Sequence, residues 1–118
     1  MKIQVRAVTL QLDARTRSEI EAVVRTALAR HERRLAGAAV RVADQNGPRG
    51  GRDISCLVEV TMRPRGRLYI EETDVDLRGA VGRAAEAASI AVTRALERTR
   101  DRHRRVGGVR AAFGVSGA

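Results

Sequence analysis

Ile54, Cys56, Val58, Val60 and Met62 form an apolar set at every second position. That period belongs to a β-strand and puts all five side chains on one face, which must then be covered by another layer. Pro64-Arg65-Gly66 turns the chain, and Leu68 and Ile70 mark a further strand. Short turns of this kind join antiparallel neighbours. Upstream, Val40 and Val42 flank Arg41 in a short strand that runs into Asp44-Gln45-Asn46-Gly47-Pro48-Arg49-Gly50-Gly51-Arg52-Asp53, a run of turn formers read as a long hairpin loop.

The remaining periodicity is helical. After an alternating first strand (Ile3, Val5, Ala7, then Val8, Leu10, Leu12, with a register slip that predicts a bulge near Ala7-Val8), Asp13 stands as an N-cap. Ile20, Val23, Val24, Ala27, Leu28, His31 and Leu35 follow one helical face, predicting a helix over about 14–36 that Gly37 ends. Asp74 and Asp76 offer N-caps for a second, longer helix with an Ala-rich apolar face (Leu77, Val81, Ala84, Ala88, Ala91, Val92, Ala95, Leu96), reaching to about residue 105. The order β-α-β-β-β-α predicts an α+β two-layer sandwich: a four-stranded mixed sheet, its first strand parallel to a neighbour, with both helices on one face. Residues 1–105 form the expected domain, and the Gly-rich 106–118 are expected to be a disordered tail.

Charge narrows the partner. The chain of 118 residues carries a formal net charge of +9, and 22 of its 23 basic side chains are arginine. Guanidinium forks suit phosphate oxygens, whereas Tyr69 and Phe113 are the only aromatic rings, too few to stack splayed single-stranded bases. Structured nucleic acid, met through backbone and shape, is the expectation; a merely solvated basic surface is the alternative. At ~100° per residue Arg83, Arg94, Arg98 and Arg105 fall within about 60° on the second helix, and Arg30, Arg33 and Arg34 cluster at the end of the first. With both helices side by side, these are expected to form one basic surface. Arg49 and Arg52 lie in the hairpin loop, either as probes of RNA or as part of a plain connection.

Other chemistries find little support. The loop lacks the Gly-Lys-Ser/Thr ending of a nucleotide P-loop. His31 reads as a packed histidine, His103 as a solvated one, Cys56 as a buried structural thiol, and no zinc spacing is present. The acidic run Glu71-Glu72-Thr73-Asp74-Val75-Asp76 is more simply a set of caps than a carboxylate site. No enzyme activity, cofactor, metal or small-molecule substrate is expected. An N-terminus without an apolar block and the lack of any ~20-residue apolar stretch predict a cytoplasmic protein with no membrane partner.

The element order, the run Thr73-Asp74-Val75-Asp76-Leu77-Arg78-Gly79-Ala80-Val81 and the Arg-rich last helix resemble the short ribosome hibernation promoting factors, including the ribosome-associated inhibitor A group, over about residues 1–105. The stretch Asp44 to Gly51 with Cys56 beyond it is similar to a divergent branch of that family. The resemblance implies a stress-related translation inhibitor that binds ribosomal RNA of the small ribosomal subunit through its basic helices and blocks messenger and transfer RNA. Carried over, the stripe on the second helix and the cluster on the first would contact the RNA; Ala87 interrupts that stripe. A basic module for another structured RNA or an acidic protein partner is the second reading. A homodimer through the open sheet face is left open.

Overall fold

The structure is a computed structural model that describes residues 1–45 and 53–113, those of 103–113 as backbone only. It comprises β1 (Lys2–Ala7), α1 (Ala14–Leu28), a 3₁₀ segment (Ala29–Arg34), β2 (Leu35–Asp44), β3 (Ile54–Met62), β4 (Arg67–Asp74) and α2 (Leu77–Phe113). The sheet order is β1-β2-β3-β4, with β1 parallel to β2 and the other pairs antiparallel. This is the predicted α+β sandwich with a mixed four-stranded sheet.

The alternation of β3 shows why the fold is layered. Ile54, Cys56, Val58, Val60 and Met62 are buried together with Ile3, Ala38, Val40 and Val42 on the same sheet face. Ile20, Val24 and Leu28 of α1 and Ala80, Val81, Ala84, Ala85, Ala88 and Val92 of α2 complete that core. The small alanines let α2 lie close on β3 and β4, while α1 packs against β1 and α2. The opposite sheet face carries the rows Gln4-Ala39-Glu59-Tyr69 and Arg6-Arg41-Leu57-Glu71, with Tyr69 63% exposed.

Several boundaries differ from those expected. The first helix stops being α-helical at Leu28, passes through a 3₁₀ segment kinked at His31 (φ −115°, ψ 18°), and gives way to strand at Leu35. Gly37 therefore does not end a helix; it lies inside β2, opposite Lys2 of β1. A Cβ there would stand 2.6 Å from the Lys2 carbonyl oxygen, so the close approach of β1 to β2 needs glycine. The register of β1 is regular, and the irregularity falls in β2 between Leu35 and Gly37. Beyond Ala7 the chain leaves the sheet, tied by Thr9 Oγ1, which donates to the Asp44 carbonyl (3.1 Å) and accepts from the Asp44 N–H (2.7 Å).

The caps fall where expected. Asp13 accepts from Thr16 N–H (2.7 Å) at the start of α1, and Asp76 accepts from Gly79 N–H (2.7 Å) at the start of α2. Helix α2 continues to Phe113, so the Gly-rich segment from Val106 begins within it; Gly107 and Gly108 cost a helix only ~1 kcal/mol each and keep their N–H donors. Residues 114–118 lie outside the described residues.

Candidate nucleic-acid interface

The topology gives the molecule two unlike ends. Since β1 and β2 run parallel and each reversal is a hairpin, the starts of β1, β2 and β4, the end of β3 and the 3₁₀ segment share one end. The Arg63 N–H donates to the Arg34 carbonyl at 2.8 Å, tying the β3–β4 turn to the 3₁₀ segment there. Helix α2 reaches the same end with Thr93, Leu96 and Arg100, which face Arg30, His31 and Arg34 across a cleft of about 610 Å³. Exposed Arg30, Arg33, Arg34, Arg63, Arg65, Arg94, Arg98, Arg100 and Arg102 thus gather from three separate segments. At the other end Asp13, Asp44, Asp53, Glu71, Glu72, Asp74 and Asp76 stand among Arg6, Arg15, Arg17, Arg41, Arg78 and Arg83, so charges of both signs are mixed there. Positive charge is therefore concentrated at the first end and balanced at the second.

This arrangement revises how the expected arginines fit together. Arg83 sits near the opposite, mixed-charge end and pairs with Glu72 of β4 at 3.4 Å, which places its flank of α2 over the β4 edge. Arg94 and Arg98 share that flank. On the α1 side, Arg78 pairs with Glu19 of α1 at 3.6 Å, and Arg100 stands about 100–160° around the helix from Arg83, Arg94 and Arg98. The stripe and the Arg30, Arg33, Arg34 cluster therefore do not lie on one face as expected, because α1 covers only one flank of α2. Arg94 and Arg98 instead approach the basic end from one side of α2, and the 3₁₀ arginines with Arg100 from the other. The side chain of Arg105 lies outside the described residues, as do Arg49 and Arg52; the ends of their loop are held by the Gln45 N–H on the Asp53 carbonyl, 2.7 Å.

Arg63, Arg65, Arg100 and Arg102 are the side chains that sequence reasoning leaves out of the site. Helical periodicity says nothing about a hairpin turn, and the signal that finds Arg63 and Arg65 is the parallel pairing of β1 with β2, which brings that turn beside the 3₁₀ segment.

Three titratable groups have shifted proton affinities. Burial, with a contribution from Arg30, holds the His31 imidazole below its ordinary value. Burial pushes the Cys56 thiol up to about 12, consistent with a structural role. Hydrogen bonds from Thr16 hold the Asp13 carboxyl below its ordinary value. Asp74 accepts from the Val75 N–H at 2.6 Å and Asp76 from the Gly79 N–H, so the two aspartates of the acidic run serve as backbone partners, while Glu72 pairs with Arg83. Among the described residues no three His, Cys, Asp or Glu side chains are placed to hold a metal ion, and no helix is long and apolar enough to cross a membrane.

No family model matches this sequence, and no curated protein does. Solved structures do match. The N-terminal domain of Protein Y from Thermus thermophilus superposes with a TM-score of 0.66 at 22% identity, covering 80% of this chain and 98% of that one. A ribosomal subunit interface protein from Coxiella burnetii superposes with a TM-score of 0.65 at 8% identity, covering 82% of this chain and 99% of that one. The fold that the resemblance implied is the fold observed, and this chain shares it with the N-terminal domain of Protein Y.

Proposed function

We propose that this chain is a ribosome hibernation factor, a non-enzymatic protein that binds RNA of the small ribosomal subunit and inhibits translation by occupying messenger and transfer RNA sites. The observation that carries this reading is the collection of arginines from the 3₁₀ segment, the β3–β4 turn and the C-terminal half of α2 at one end of a Protein Y-like fold. The name of the Coxiella protein places it at a ribosomal subunit interface, which supports the same partner here. Residues 1–105 are the functional domain in this reading. Arg30, Arg33, Arg34, Arg94 and Arg98 serve as phosphate contacts, joined by Arg63, Arg65 and Arg100, whereas Arg83 is set apart by Glu72. Arg49, Arg52 and Arg105 remain candidates on their charge.

Polarised charge suits this task. A basic end attracts phosphate, while the opposite end, where carboxylates and arginines are mixed, attracts it less and so favours one direction of docking on the polyanion. Sedimentation through sucrose gradients with purified small subunits tests the proposal. The chain is expected to travel with the subunit at ~100 mM salt and to be released as salt rises, because phosphate contacts exchange with counterions. A chain that stays at the top of the gradient at low salt refutes ribosome binding, and binding to another structured RNA under those conditions would favour the second reading.

A further inference from the structure

The cleft between the 3₁₀ segment and α2 is more than a stretch of basic surface. Its walls are Arg30, His31 and Arg34 on one side and Thr93, Leu96, Glu97, Thr99 and Arg100 on the other, around about 610 Å³. Three guanidinium groups face it against one carboxylate, Glu97, so its net charge is positive. At its wall a hydrogen-bond chain fixes the His31 tautomer. Thr93 Oγ1 donates to the Ser89 carbonyl at 3.0 Å, which uses the only hydroxyl proton. The 3.0 Å contact between His31 Nε2 and Thr93 Oγ1 must then be donated by Nε2–H, leaving Nδ1 to carry the lone pair of the neutral ring.

We propose that this cleft is a phosphate-binding site, filled by one phosphate of the RNA or by a free phosphate group, and that His31 makes its affinity depend on pH. The inference rests on the reading of this end as the RNA-binding one. A phosphate placed among Arg30, Arg34 and Arg100 lowers the cost of a positive charge on the ring. His31 then takes a proton from solvent on Nδ1 while Nε2–H stays on Thr93. Burial and, after it, repulsion from Arg30 disfavour the charged ring, and an anion beside the ring offsets the repulsion. Linkage fixes the sign: a group whose proton affinity rises on binding makes binding tighter as pH falls.

Two measurements test this on the full chain. In the first, the His31 ring is titrated by NMR in a His103→Gln background with and without inorganic pyrophosphate. Its midpoint is expected to rise by about one unit or more, and the rise to vanish in Arg100→Gln. In the second, small-subunit binding is compared at pH 6.0 and 7.5; wild type is expected to tighten about 3- to 10-fold at the lower pH, and His31→Gln, whose amide can keep the bond to Thr93, to change by less than about half as much. A response in the first arm alone assigns the site to free phosphate, and in the second alone to RNA phosphate. Pyrophosphate acting on His31 in a chain that ignores subunits preserves the site and removes the ribosome reading. Subunit binding with an unmoved His31 midpoint and the same pH dependence in His31→Gln overturns the phosphate site and leaves the ribosome reading intact.

Discussion

The backbone N–H of Arg63 donates to the carbonyl of Arg34 across 2.8 Å, joining two segments that are far apart in sequence. This bond converts two local arginine groups into one basic end. The 3₁₀ segment supplies Arg30, Arg33 and Arg34, the turn supplies Arg63 and Arg65, and α2 closes over them with Arg94, Arg98, Arg100 and Arg102. None of these segments carries a phosphate footprint alone, and the topology makes them contiguous.

The two flanks of α2 should then behave differently. Replacing Arg30, Arg34 and Arg100 together with Gln is expected to weaken small-subunit binding about tenfold or more at ~100 mM salt and to flatten the salt slope by roughly one for each phosphate that is no longer neutralised. Arg83→Gln is expected to change affinity less than about twofold, since Arg83 lies away from the basic end and Glu72 beside it offsets part of its charge. Affinity measured across a salt series distinguishes them; equal effects would mean that the end bearing Arg83 also meets RNA.

What is legible in the sequence follows from how strongly each element is patterned. The five apolar positions of β3 and the Ala-rich face of α2 have strict periods, and both elements appear where expected. Leu35 to Ala39 contains three alanines and a glycine, which carry almost no period, so the pattern alone predicts a strand only from Val40 and a helix lasting to 36. His31 fits the apolar spacing of an ideal α-helix, yet the chain kinks there and turns its ring toward Thr93 of α2. The arginine groups on the helices are visible as angular clusters. Their division between two flanks is not, because it depends on which side of α2 receives α1.

Gly37 offers a direct check on the β1–β2 contact. Gly37→Ala forces the new methyl against the Lys2 carbonyl, a backbone atom that moves only with β1. A cost of about 1–3 kcal/mol is expected. Urea denaturation should show a lower midpoint with an unchanged slope, and a neutral result would mean that the edge strand shifts freely.

Asp13 links the α1 cap to pH. Its carboxylate accepts from Thr16 N–H at 2.7 Å, and this bond holds its proton affinity below the ordinary value of 3.8. A depressed value means that the contribution is present above about 3.8 and is lost as pH falls through the folded-state value. Asp13→Ala should therefore lower the thermal midpoint at pH 7 and converge with wild type in strong acid. Asp13→Asn, which retains a capping oxygen, should lose less at pH 7. A gap between wild type and Asp13→Ala that is the same at pH 7 and in strong acid would place the effect outside the carboxylate.

Cys56 gives the opposite pH signature. Its side chain is fully buried in β3 beneath the helices, and desolvation raises its thiol from 9.0 to about 12. In the unfolded chain the thiol ionises near its ordinary value, whereas in the folded chain it keeps its proton. Stability from this site is thus complete below about pH 9 and falls as pH rises toward 12, by about 1.4 kcal/mol per unit at most. Cys56→Ala removes the titration at the cost of a small cavity, so it should be less stable than wild type at pH 8 and close part of that gap at pH 10.5. A thiol reagent at pH 8 should modify wild type only after unfolding. Rapid modification of the native chain would show that β3 is open to solvent there, and would break the argument that the thiol is structural.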